Sequence, residues 1–181
     1  MSHLVHLRWL VPTVIVGTVL YLTLGSTAPQ EVKTNFSDRR PLVDVLLPAS
    51  RVERVGTSLA LLREPVYVDV TLPLRSMAAT LELEVTATSA PLKLGVQRGA
   101  GWDIVFPEVV ITERSGSRFY TLRVAEFPYL EPGYRLRFVV SAPGLTPGSI
   151  TVRGGRVTIE RQPFSWSWLG ALLGRFPKNI L

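Results

Sequence analysis

The stretch "TLELEVTAT", Thr80 to Thr88, decides the fold. Leu81, Leu83, Val85 and Ala87 fall on one side of an extended chain, with threonine and glutamate opposite. A strand with one buried face needs this period of two, whereas a helix needs apolar residues three and four apart. The same alternation recurs in "VYVDVTL" (66–72), where Val66, Val68, Val70 and Leu72 share a face. It recurs again in "LKLGV" (92–96), "FYTLRV" (119–124), "YRLRFVV" (134–140) and "RVTIER" (156–161). Proline, glycine and serine fill the gaps as "SAP", "RGAG", "SGS", "EPG", "APGLTPG" and "RGG", with "RGAG" and "RGG" reading as hairpin turns. Short strands so punctuated predict an all-β, antiparallel, jelly-roll-like sandwich. The pattern gives eight or nine strands between about 43 and 161, with no helical period and no repeat there.

Upstream the composition changes. No charge occurs from Trp9 to Gln30, and "WLVPTVIVGTVLYLTLG" (9–25) is a 17-residue apolar run. As a helix it is about 26 Å long, the short end of what crosses a bilayer. Arg8 flanks it, Trp9 and Tyr21 sit where interfacial aromatics lie, and Pro12 falls in the first turn. Residues 1–25 are therefore expected to be a transmembrane signal anchor. The competing reading is a cleaved signal peptide, whose best small-residue site, Ser26-Thr27-Ala28, is followed by an unfavourable Pro29. Arg8 before the span and Lys33, Arg39 and Arg40 after it oppose the positive-inside count. A short N-terminus with one long following domain favours a β-domain outside the cytoplasm at the cell membrane. The organisation expected is an anchor (1–25), a polar linker (26–42), a sandwich (43–161) and a tail (162–181).

The residues present exclude much chemistry. Cysteine is absent, and both histidines, His3 and His6, precede the apolar run. Ser-His-Asp, Cys-His and His-ligated metal sites are therefore closed to the sandwich. Lys93 is the single lysine between 43 and 161, and no glycine-rich phosphate loop joins a strand to a helix. Glu82 and Glu84, the obvious carboxylate pair for acid–base work, share the solvent face of one strand. Asp44, Asp69, Asp103 and Glu108 lack the dense carboxylate loop that calcium requires. The chain reads as non-enzymatic, without catalytic residue, metal or cofactor.

What is left is binding. Trp102, after Gly101, either stacks on a sugar or plugs the end of the sandwich, and Tyr67, Tyr120, Tyr129 and Tyr134 form either an aromatic platform or core. Trp102 and Tyr129 are the candidate glycan contacts. The chain carries a net charge of +6 with 17 arginines and 3 lysines, unevenly spread. Six basic residues meet nine acidic ones over 43–113, but eight arginines meet three glutamates over 114–161. If the last strands share a sheet, Arg135, Arg137 and Arg156 form a stripe able to contact an anionic surface, against the plainer reading of a solvated sheet face. Nucleic acid is not expected, because no aromatic residues interleave with those arginines. In "FSWSWLGALLGRF" (164–176), helical spacing stacks Phe164, Trp168, Leu172 and Phe176, with Leu169 and Leu173 beside them, and Trp166, Trp168, Leu169, Leu172, Leu173 and Phe176 are the candidate membrane or partner contacts. The segment is too short to span a bilayer but suits its interface or a partner. The alternative is a strand "FSWSW" that closes the sandwich.

At "REPVYVDVTLP" (63–73), "LKLGV" (92–96), "GWDIVFPEV" (101–109) and "YRLRFVVSAPGL" (134–145) the chain resembles a group of uncharacterised membrane-anchored bacterial proteins of candidate-phylum type. The resemblance covers roughly residues 60–160. It implies one N-terminal span and an extracytoplasmic β-sandwich, and no site residue. The expectation is a membrane-tethered interaction or assembly module at the cell envelope, with membrane lipid and another envelope protein as partners. The alternative is a lectin-like module for envelope glycans.

Overall fold

The computed structural model describes residues 12–18, 20, 28–73, 75–86, 91–97, 103–125 and 134–162. The chain divides into two compact units, Met1–Ala28 with Arg161–Leu181, and Pro29–Glu160. In the first, residues 12–18 and 20 are helical. Among the described residues no helix is long and apolar enough to cross a membrane. Most of the expected anchor, and all of the expected tail beyond Gln162, lies outside the described residues.

Among the described residues the second unit holds eleven strands in two sheets, ten of them between 43 and 161, where eight or nine are expected. They are β1 (Gln30–Thr34), β2 (Val52–Val55), β3 (Ser58–Leu61), β4 (Val66–Thr71), β5 (Ser76–Val85), β6 (Lys93–Gln97), β7 (Ile104–Val105), β8 (Val110–Arg114), β9 (Ser117–Ala125), β10 (Arg135–Ser141) and β11 (Thr151–Arg161). One sheet runs β2-β3-β11-β5-β9-β8, with β1 also on β11, and the other runs β4-β10-β6-β7. β10 pairs antiparallel with β4 and β6, β6 with β7, and β9 with β5 and β8.

The alternation seen in the sequence is the alternation of burial. Leu81, Leu83 and Val85 of β5 and Val66, Val68 and Val70 of β4 are each no more than 1% exposed and belong to a single core. Burying one such side chain stabilises by about 1.5–3 kcal/mol. Because the core draws on both sheets, the unit is a β-sandwich.

Two expectations need correction. Residues 30–42 are not a linker. β1 pairs with β11 from Gln30 opposite Ile159 to Thr34 opposite Gly155, and Phe36 is fully buried. One aromatic in a polar stretch gives no periodicity to read, yet it anchors the segment. Nor is "RGG" a turn, for Arg153, Gly154 and Gly155 lie inside β11. A Cβ on Gly155 would strike the Glu82 carbonyl oxygen and come within 2.8 Å of Phe36 Cε2. The glycine lets Phe36 and the β5 backbone approach, the usual meaning of glycine within a strand.

Candidate functional site

The outer face of the four-stranded sheet carries a cluster that local sequence cannot assemble. Period two turns Val68, Val70, Leu136 and Phe138 into the core and Tyr67, Asp69 and Arg137 away from it. Register then places Arg137 between Asp69 on β4 and Gln97 on β6. Arg137 donates from Nε to Asp69 Oδ1 at 2.7 Å and from Nη2 to Oδ2 at 2.8 Å. Nη1 donates to Gln97 Oε1 at 3.4 Å. The guanidinium carbon stands 3.9 Å from the centroid of the Tyr67 ring. This is the bidentate fork with an aromatic backing that arginine forms and lysine does not.

Depth makes the pair strong. The Asp69 side chain keeps 8% exposure and that of Arg137 27%. Hydrogen bonding to the Asp69 carboxylate is the main reason the Arg137 guanidinium titrates above its already high ordinary range, with burial opposing. The site is therefore a fixed guanidinium plane, neutralised along one edge by the Asp69 carboxylate and backed by the Tyr67 ring.

An apolar flat surface lies alongside. Gly95 of β6 pairs with Val139, which itself pairs with Tyr67, so its missing side chain would point to this same outer face. That space is taken by Ile104 Cγ2 and by Phe106 Cδ1 and Cε1, each 2.9 Å from where a Cβ would stand. Phe106 rests on the glycine backbone and is 47% exposed.

The expected arginine stripe does not form. β10, with Arg135 and Arg137, belongs to the four-stranded sheet, and β11, with Arg156, to the seven-stranded one. Arg135 is exposed opposite Thr71. Arg156 lies 3.4 Å from Glu31 and 3.8 Å from Glu82. It borders a cleft of about 480 Å³ with Lys33, Arg40, Glu82, Glu84 and Phe119, a surface of mixed sign rather than a basic one. The expectation that no aromatic accompanies the arginines is also corrected, since Tyr67 backs Arg137. Glu84 accepts from Ser117 Oγ at 3.0 Å and lies 3.8 Å from Arg153, so the carboxylate pair on β5 is tied to its neighbours.

The other candidates divide simply. Tyr120 is buried in the core and Tyr134 packs against it. Trp102, Tyr129 and the tail residues Trp166, Trp168, Leu169, Leu172, Leu173 and Phe176 lie outside the described residues. Asp69, weighed as a metal ligand, serves Arg137 instead, and Asp44 pairs with Arg39 at 2.8 Å. Gln97 and Phe106 were not among the candidates. Their signal was faint, a polar residue at the outward beat of β6 and an aromatic just past a hairpin.

No protein-family model and no curated protein matches the chain. Among solved structures it is similar to a carbohydrate-binding module characterised for specific mannan recognition, at 14% identity and TM-score 0.44, over 74% of this chain and 96% of that one. It is similar to a carbohydrate-binding module of a lichenase from Cellvibrio mixtus in complex with cellotriose, at 9% identity and TM-score 0.33, over 66% and 98% of the two chains. A C-terminal module of a laminarinase from Zobellia galactanivorans matches at 10% identity and TM-score 0.35, over 72% and 99%. No site residue is carried over from any of them.

Proposed function

We propose that the protein is a non-enzymatic, jelly-roll-like β-sandwich that serves as an interaction or assembly module at the cell envelope. In this reading residues 1–25 tether it to the membrane, the sandwich lies outside the cytoplasm, and the tryptophan-rich tail makes a second contact with lipid or a partner. The uncharged run from Trp9 to Gln30 supports the tether. The observation that carries the binding role is the Tyr67–Arg137–Asp69–Gln97 cluster. Removing an ion pair from water is costly, and the core on the opposite face does not need one. A rigid, half-open plane of donors and acceptors is what a recognition surface requires.

One feature favours a glycan as the ligand. Phe106 offers an exposed apolar ring beside the polar cluster, and sugars present flat apolar faces edged by hydroxyls. In this reading Trp102 and Tyr129 remain glycan-contact candidates from the sequence alone. The test is calorimetric titration of the full chain, in detergent, with soluble envelope-type oligosaccharides. Phe106→Ala and Gln97→Ala should each weaken binding by about tenfold or more while circular dichroism stays unchanged. Absence of heat with every oligosaccharide, or equal binding by both variants, removes the glycan reading. Resistance of the native protein to alkaline extraction from membranes tests the tether separately.

A further inference from the structure

We propose that β8 is a dimerisation edge, through which two copies of this chain pair strand against strand about a two-fold axis at Ile111. The exposure of this region is anomalous. Val105, Phe106, Val110 and Ile111 are 37%, 47%, 61% and 54% exposed, four large apolar residues within seven positions. Ile111 stands opposite buried Tyr120, so it lies on the core-facing side of its sheet yet is open to water. Among the described residues β8 is the end of the seven-stranded sheet and pairs only with β9. An apolar end strand is a template for another strand unless something blunts it.

The hairpin fixes which backbone groups are available. Arg114 pairs with Ser117 across a two-residue turn, Ser115 and Gly116, with φ of 50° and 77°. Both values suit the type I′ turn, whose closing pair is hydrogen-bonded. Val110, Thr112 and Arg114 thus direct their N–H and C=O groups to β9, and Ile111 and Glu113 direct theirs to the open edge. Facing residues in an antiparallel pair share a side of the sheet, so only registers centred on a residue are allowed.

Centring on Ile111 sets Ile111 against Ile111 of the second copy, Thr112 against Val110, Glu113 against Val109, and Arg114 against Glu108. Outward backbone groups meet outward backbone groups, and both copies contribute one Arg114–Glu108 pair on the same face. Glu108 and Arg114 are exposed. Centring on Thr112 sets Arg114 against Val110 and matches no charges. Centring on Glu113 opposes two carboxylates.

The other end of the same sheet shows what a blunted edge looks like. β2 closes its hairpin with Val55 opposite Ser58, which turns Val52 and Arg54 outward. Self-pairing on Arg54 sets guanidinium against guanidinium, and on Glu53 carboxylate against carboxylate. Pairing on Val52 needs an extended chain at Ala49–Arg51, which is a 3-10 turn. The β2 end meets a like charge or a turn in each of these three registers, and the β8 end has one register that sets opposite charges against each other.

The experiment is sedimentation of the full chain in detergent micelles. The wild type should be dimeric, and Ile111→Lys monomeric. Glu108→Arg and Arg114→Glu should each weaken the dimer by roughly tenfold or more, because like charges then face each other twice. Glu108→Arg with Arg114→Glu should restore it. Both positions are exposed, so the exchange does not load the core, and circular dichroism confirms each fold. A monomeric wild type, a dimer indifferent to Ile111→Lys or to the single reversals, or a double reversal that fails to recover would each overturn the proposal.

Discussion

The two outer faces of the sandwich use the same chemistry at different depths. On the seven-stranded sheet, carboxylates and cations alternate across strands. Arg156 of β11 lies 3.8 Å from Glu82 of β5, Arg123 of β9 bonds both oxygens of Glu160 of β11 at 3.1 and 2.8 Å, and within β1 Lys33 lies 4.0 Å from Glu31. The Arg123 and Glu160 side chains remain 52% and 36% exposed. On the four-stranded sheet one pair, Arg137 and Asp69, has nearly the same bidentate geometry but far less water around it. Exposed pairs are screened and mobile, while half-buried ones hold position at a cost in desolvation. The first face is a solubilising surface and the second is a built one. Chemistry alone does not distinguish them, and exposure does.

The largest effect is expected beneath the first face. Its cross-strand charges stand on β1 and β11, and these are locked by Phe36 against Gly155. Phe36→Ala should destabilise by about 3–5 kcal/mol in urea unfolding, as deletion of a buried aromatic does. Gly155→Ala should cost about 1–3 kcal/mol by crowding the Glu82 carbonyl and the Phe36 ring. If both variants unfold at the wild-type midpoint, residues 30–42 are a passenger on the sheet and the face has no foundation of its own.

The second face should respond next. Asp69→Ala leaves Arg137 partly buried without its carboxylate and should lower stability by about 2–3 kcal/mol. The double change Asp69→Leu with Arg137→Met should recover much of that, because it removes the charges together. Recovery means the ion pair is kept for its surface rather than for stability, as a binding role demands. A double variant as unstable as Asp69→Ala makes the pair a structural element of the sheet.

How far the sequence reached follows from locality. The strands with one wet and one dry face were legible, since Leu81, Leu83 and Val85 state their burial in their own spacing. β8 was not, because Val110 and Ile111 are apolar on both beats and exposed on both, and hydrophobicity does not say that a strand is last in its sheet. β1 was hidden by polarity, and glycines 154 and 155 imitated a turn when their task was close approach. The arginine stripe failed for a deeper reason. Arg137 and Arg156 are neighbours in sequence pattern, but which sheet each joins depends on pairing with β4 and β5, far along the chain. Arg137 meets a carboxylate 68 positions away. Period two gave the outward beat of Tyr67 and Asp69, and only register could give them Arg137.

The smallest effect belongs to the exposed pair, and its pH dependence has a definite sign. Hydrogen bonding from Arg123 holds the Glu160 carboxyl below its ordinary value, with burial opposing. Near the unfolded carboxylate pKa, about 4.3, the unfolded chain therefore binds more protons than the folded one. The contribution of this pair is complete above that pH and is lost as the pH falls through the lower folded value. Glu160→Gln should shift the urea midpoint only slightly at neutral pH, and the difference from wild type should vanish in strong acid. It should also shrink in 1 M salt, where the screening length is about 3 Å. The Asp69→Ala effect should keep most of its size in the same salt, because that carboxylate is shielded from the solvent ions. Equal salt sensitivity of the two variants would place both pairs in the same dielectric and erase the distinction between the faces.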